Sequence, residues 1–217
     1  MNLFTASKVK LSIGSDTYAT ITQETDYPNS GLVKFIVNME KDSAFTIKLR
    51  IPRWCNNAEI SVNGENPTVI SADINSYDIN RVWKDGDTVI LDMPMSWRFV
   101  KGHQLQEGKV ALMRGPVLFC LGTDQNAELL EKYTDFHRVV IDPASIGEPE
   151  IDSSIRPDGM KVTVGAMVEA AGEWSHGAPR ETVTFTEFID PSCIATYFHI
   201  LNLDIATEDE LTGDCFF

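Results

Sequence analysis

Residue types capable of chemistry are plentiful in these 217 residues, but their spacing rarely brings them together. The chain holds 32 Asp and Glu, four His, four Cys and four Trp. Glycoside hydrolysis needs two carboxyls about 5–10 Å apart across the scissile bond, one of them with a raised pKa. Glu24 and Asp26 would share one face of an extended strand about 7 Å apart, yet a solvated strand end is the expected role of such a pair. His103, His137, His176 and His199 lack the i, i+4 or i, i+2 spacing that converges on an ion, so no metal is expected. Asp85-Gly86-Asp87 is read as a turn rather than a calcium loop, because further oxygen ligands at regular spacing are missing. Gly-x-Ser-x-Gly and Gly-rich phosphate loops are absent from the sequence, which removes Ser-nucleophile and nucleotide chemistry and leaves no cofactor expected. Cys55, Cys120, Cys193 and Cys215 lie 65, 73 and 22 residues apart with no CxxC, so buried or free thiols are expected, with three disulfide pairings left open.

Sugar binding and protein contact call on other side chains. Trp54, Trp83 and Trp174 are the carbohydrate-stacking candidates, with Trp97 a fourth indole. Trp54 and Trp83 lie beside strand ends, where core packing with the indole N–H bonded to backbone is the competing role. Trp174 sits in the Gly- and His-containing stretch Ala171–Pro179, where exposure or loop anchoring is expected. Arg50 faces away from the apolar stripe Phe45/Ile47/Leu49, and with Arg114 it is an interface candidate, since a guanidinium suits bidentate carboxylate contacts.

Charge narrows the partners. A net charge of −14 argues against nucleic acid and anionic membrane surfaces, both of which require cationic protein. The balance is uneven: residues 1–104 carry −1 and residues 105–217 carry −13, which suggests two modules and disfavours polyanionic glycans such as pectate. Apolar runs are far shorter than the ~20 residues that span a bilayer, and residues 1–20 lack a basic start followed by an apolar block, so a soluble chain without a signal peptide is expected.

The elements that must carry these residues have a period of two. Phe45-Thr46-Ile47-Lys48-Leu49-Arg50-Ile51 alternates strictly, as a half-buried antiparallel strand does. Lys8–Ile13, Thr17–Gln23, Leu32–Met39, Glu59–Val62, Ser76–Asn80 and Thr88–Met93 read the same way, and Asn63-Gly64 and Asp85-Gly86 supply hairpin turns between them. Beyond residue 100, strands are expected at Val110–Arg114, Val117–Leu121, Arg138–Ile141, Met160–Val164, Val183–Ile189 and Thr196–Ile200, with one short helix at Ala127–Lys132 and a loop over Asp142–Gly159. Without long helices between strands, a parallel βαβ sheet is excluded. The expected architecture is all-β: two tandem antiparallel β-sandwich domains, residues 1–100 and an acidic 101–217.

Three stretches in order, Ile51-Pro52-Arg53-Trp54 with Glu59-Ile60-Ser61-Val62-Asn63-Gly64, then Trp83-Lys84-Asp85-Gly86-Asp87, then Val110-Ala111-Leu112-Met113-Arg114-Gly115-Pro116, resemble the β-L-arabinofuranosidase-type glycoside hydrolases, glycoside hydrolase family 127. Gln23-Glu24-Thr25-Asp26-Tyr27-Pro28 is similar to that family as well, and the resemblance covers most of residues 8–121. Asn29 and Ser30 depart from it, standing where the family usually has a Trp and an acidic residue. The tail motifs Thr186–Pro191 and Ala195–Phe198 resemble the ends of some bacterial members. The resemblance implies a catalytic (α/α) barrel, bearing catalytic glutamates and a zinc-binding cysteine cluster, that has no counterpart here. No catalytic or metal-binding residue therefore carries over. It implies instead a non-catalytic accessory region of an enzyme acting on arabinofuranoside-containing plant glycans, bracing or dimerising that barrel. A free-standing carbohydrate-binding module for plant-derived oligosaccharide is the alternative, and a self-contained hydrolase a third.

Overall fold

The computed structural model describes residues 1–14, 16–133, 138–168 and 180–208. The chain divides into two compact units, Met1–Met95 and Ser96–Phe217. The division falls slightly before residue 100 because β9 (Trp97–Lys101) pairs along its whole length with β10 (Val110–Arg114).

In the first unit, a six-stranded antiparallel sheet runs in the order β1 (Ser7–Ser12), β2 (Tyr18–Glu24), β3 (Leu32–Met39), β8 (Asp87–Asp92), β5 (Asn57–Val62), β6 (Thr68–Ser71). A separate two-stranded sheet is made by β4 (Ser43–Arg50) and β7 (Ser76–Trp83), paired from Ser43↔Trp83 to Arg50↔Ser76. Alternation fills the space between them. Val33, Phe35 and Val37 of β3 and Val89 and Leu91 of β8 share one core with Ile47 and Leu49 of β4 and Ile79 and Trp83 of β7.

Asn63 and Gly64 both take positive φ, as a tight hairpin turn requires, and the Glu65 N–H closes that turn on the Val62 carbonyl. Asp85-Gly86 does not join paired strands as expected. Instead β7 and β8 belong to different sheets, and this corner carries the chain from one to the other. The corner is held by side chains: the Asp85 carboxylate accepts from the Met39 N–H and the Asn38 amide, and Asp87 accepts from the Lys84 N–H and the Asn63 amide, each at 2.9 Å. Asn63 in turn accepts from the Thr88 N–H at 2.8 Å, so the β5–β6 turn and the β7–β8 corner are locked to each other.

The second unit corrects the expectation of a second sandwich. Strands β10, β11 (Val117–Gly122), β15 (Arg180–Glu187), β14 (Met160–Val168), β12 (Val139–Ile141) and β17 (Tyr197–Ile200) close into a six-stranded barrel. Closure occurs at β10, whose first residues pair with β17 and whose last pair with β11, and the β12–β17 contact is parallel. A period of two reads identically in an open and a closed sheet, so only these pairings distinguish them. Gly115-Pro116 turns a β10–β11 hairpin with Arg114 opposite Val117. The barrel core is built from Leu112, Phe119, Leu121, Val162, Val164, Phe185 and Phe198, with Phe185 and Phe198 edge-to-face at 4.7 Å. Helix α1 spans Ala127–Lys132, as its short apolar spacing suggests, and buries Leu129.

Asp87 is nearly buried, which alone would raise its pKa, but the Lys84 N–H, the Asn63 amide and Arg81 outweigh burial and hold it below the ordinary carboxylate range. The stability this confers is complete above the unfolded Asp pKa of about 3.9 and is lost as pH falls through the lower folded value. Asp87→Asn should lower the unfolding free energy by about 1–3 kcal/mol at neutral pH. Its urea midpoint should also fall less steeply than wild type between roughly pH 4 and 2; parallel wild-type and variant pH profiles would contradict the assignment.

Candidate functional site

The residues singled out by the sequence do not converge on one place. In the first unit, the strand end of β4 and the turn Pro52–Cys55, closed by the Cys55 N–H on the Pro52 carbonyl, put Arg50 and Trp54 near Tyr27. The indole N–H of Trp54 donates to the Tyr27 hydroxyl, since an indole can only donate. Tyr27 stands edge-on to Phe4 at 5.6 Å, and the Tyr27-Pro28 peptide is cis. Its backbone N–H bonds to Thr25 Oγ1, which itself donates to the Leu32 carbonyl, so the turn before β3 is ordered from within. Burial raises the Tyr27 pKa against the opposing pull of the Trp54 hydrogen bond and the nearby Arg50 guanidinium, so the phenol is neutral at pH 7. The result is a half-buried aromatic pair, Tyr27 and Trp54, beside two exposed arginines, Arg50 and Arg53.

Trp83 lies elsewhere and deeper. It is fully buried, its indole N–H donates to the Phe45 carbonyl at 3.0 Å, and its ring packs against Phe45 and under the Arg81 guanidinium. No face of this ring reaches a sugar. Trp97 is taken up by Phe119, at 4.9 Å in the barrel core. Trp174 lies outside the described residues. Arg114 belongs to the second unit, where it contacts Met160 Sδ at 3.5 Å; burial lowers its pKa and Glu148 opposes that. Arg50 and Arg114 thus sit on separate units.

Glu24 and Asp26 stand at and just beyond the end of β2. Glu24 is exposed and paired with Lys34 at 3.2 Å, and the Asp26 carbonyl closes the turn to the Asn29 N–H. Among the described residues, no group of three His, Cys, Asp or Glu is arranged to hold a metal. Cys55 and Cys120 are buried free thiols and Cys193 a partly buried one, with burial pushing Cys55 and Cys120 upward, Cys120 in contact with Cys193. Among the described residues, no helix is long and apolar enough to cross a membrane.

What sequence reasoning missed is the open flank of the first unit. All six residues of β1 are exposed. Val9 and Leu11 stand opposite Ile21 and Ala19, which are buried in the core, so they lie on the core side of the sheet and still show 39% and 38% of their surface. A two-stranded sheet is too narrow to cover six strands. The signal existed in the strand count per sheet, which alternation cannot supply.

Residues 1–95 match the family described as Beta-L-arabinofuranosidase, GH127 middle domain. A non-reducing end β-L-arabinofuranosidase of Bifidobacterium longum subsp. longum is 33% identical over 110 residues, covering 46% of this chain and 16% of that enzyme. The crystal structure of a GH127 β-L-arabinofuranosidase from Geobacillus stearothermophilus T6 is similar over 91% of this chain and 33% of its own, with TM-score 0.77 and 25% identity. A solved GH127 β-arabinofuranosidase shares the fold over 95% of this chain and 35% of its own, at TM-score 0.73 and 20% identity. The chain therefore spans 16% of the curated relative's length and about a third of the solved enzymes. What these likenesses define is a β-rich region similar in fold to about a third of each of these glycoside hydrolases. Residues 1–95 are thus similar to the GH127 middle domain, in line with the resemblance carried by the ordered motifs of residues 8–121.

The two indoles should separate in stability. Trp83→Ala removes a fully buried ring and leaves the Phe45 carbonyl without its donor, so a loss of about 3–5 kcal/mol in chemical denaturation is expected. Trp54→Ala, half-buried, should cost less than about 2 kcal/mol. Equal losses would contradict the different roles drawn for them.

Proposed function

We propose that this chain is a non-catalytic accessory region that docks onto and braces the catalytic (α/α) barrel of a glycoside hydrolase acting on arabinofuranoside-containing glycans. The observation that supports it most is the uncovered core-side strip of β1, Val9 and Leu11, together with the exposed edge of that strand. Apolar residues placed on the core face but left in water are what a sheet shows when part of its cover comes from another body. Lys8 and Lys10 flank the strip and discourage pairing of β1 with a second copy of itself, so a heterologous domain fits better than a homodimer through this edge. Arg50, exposed beside Tyr27 and Trp54, offers its guanidinium group to carboxylates of the same partner. Similarity to β-L-arabinofuranosidases supports the substrate class.

Separately expressed family 127 catalytic domain mixed with this chain should elute as a complex in size-exclusion chromatography. Val9→Asp combined with Leu11→Asp should abolish the complex while leaving the thermal midpoint nearly unchanged, because both side chains are already partly solvated. Complex formation that ignores these substitutions would remove β1 from the interface. Turnover of a chromogenic β-L-arabinofuranoside by the chain alone would overturn the non-catalytic reading.

A further inference from the structure

A second surface, in the barrel unit, is concave and lined mainly by polar groups. Between the turn leading into α1 and the start of β15 lies a cleft of about 680 Å³, within the range of about 300–1,000 Å³ typical of small-ligand sites. Asp124, Gln125, Glu128 and Lys132 form one wall and Arg180 and Glu181 the other. The base of the cleft is rigid. Buried Asn126 donates to the Gly122 and Thr184 carbonyls at 2.8 Å each and accepts from the Thr184 N–H at 2.9 Å, tying the helix entry to β15. At the far end Lys132 pairs with the Glu181 carboxylate, which also accepts from the Tyr133 hydroxyl at 2.9 Å. Lys132 and Tyr133 hold Glu181 below the ordinary carboxylate range, so it is an acceptor throughout the neutral pH window.

The chemistry of these walls selects the ligand. Three carboxylates, two cations and an amide offer acceptors and donors at close spacing, the pattern that vicinal hydroxyls satisfy from both sides. Few apolar atoms line the cleft, which disfavours a hydrophobic ligand. The wall groups sum to one negative charge within a strongly acidic half of the chain, which repels polyanions. We infer that the cleft between α1 and β15 binds a short neutral oligosaccharide, its hydroxyls held by Asp124, Glu128, Arg180 and Glu181.

The experiment needs only the 217-residue chain, so its outcome and that of the docking experiment are read separately. Calorimetric titration with arabinotriose, xylotriose and trigalacturonate should show millimolar or tighter binding of at least one neutral trisaccharide, and about tenfold weaker or no binding of trigalacturonate. Asp124→Ala and Arg180→Ala, both at exposed positions, should each weaken the neutral sugar by about fivefold or more. Their thermal midpoints should match wild type; if one does not, Glu128→Gln takes its place. Absence of heat with every neutral sugar, preference for trigalacturonate, or unchanged affinity in the Asp124→Ala/Arg180→Ala double variant would each overturn the assignment.

Discussion

Two sheets of unequal width share one core in the first unit, and the chain must cross between them without exposing backbone. The crossing at Lys84–Asp87 is where this constraint bears hardest. Trp83 ends one sheet as a fully buried ring bonded to Phe45, and Asp87 begins the other as a nearly buried carboxylate. Between them Gly86 takes positive φ, and its N–H finds the Val37 carbonyl at 2.9 Å. Each polar group turned inward by the corner has a partner, and those partners come from β3, from the β5–β6 turn and from the corner itself. The motif Trp83-Lys84-Asp85-Gly86-Asp87 is thus conformational in origin. It holds the two sheets of the first unit about their shared core.

The same inequality of width connects packing to function. Strands β3 and β8 are covered by β4 and β7, but β1 extends past that cover, and burying a Val and a Leu fully is worth about 1.5–3 kcal/mol each relative to exposure. Less than half of that gain is unrealised within the unit, and this remainder becomes available to any body that completes the cover. Edge lysines make the alternative of self-pairing costly, so the strip favours a partner of different sequence over a second copy.

Legibility from sequence followed the physics of each signal. Alternation in Phe45–Ile51 and Leu32–Met39 exposed the strands, and Asn63-Gly64 exposed its turn, because both are local. Sheet membership is not local. Asp85-Gly86 has the residues of a hairpin yet joins different sheets, and Val110–Arg114 gives no hint that it pairs with three strands and closes a barrel. The short strand Thr68–Ser71 went unread because four residues carry too little periodicity. At the candidate sites, residue type pointed to Trp54 and Trp83 alike, while burial separates them: one is half-exposed beside arginines and the other is core. The cleft beside α1 had no sequence signature, since its walls come from segments some fifty residues apart and its side chains are ordinary surface types.

Closure of the second unit explains why such a cleft is possible there. A barrel whose strands are paired all round satisfies its own backbone and leaves the segments laid against it free of that duty. The stretch from Asp124 to Lys132 is such a segment. It is tied to β15 by Asn126 through backbone groups at its base and by the Lys132–Glu181–Tyr133 cluster at its far end. Between those two attachments the wall residues Asp124, Gln125 and Glu128 are not needed for packing, because Leu129 and Asn126 supply the buried contacts. The interior charges follow the opposite rule. Glu187 is nearly fully buried and is met by a bidentate Arg156 at 2.5 and 2.7 Å and by the Met160 N–H, so its charge is spent on the fold. In one acidic unit, the enclosed Glu187 is paired for structure, whereas Asp124 and Glu128 on the cleft wall stand exposed to solvent. That division of labour is the physical basis for assigning recognition to the cleft and not to the core.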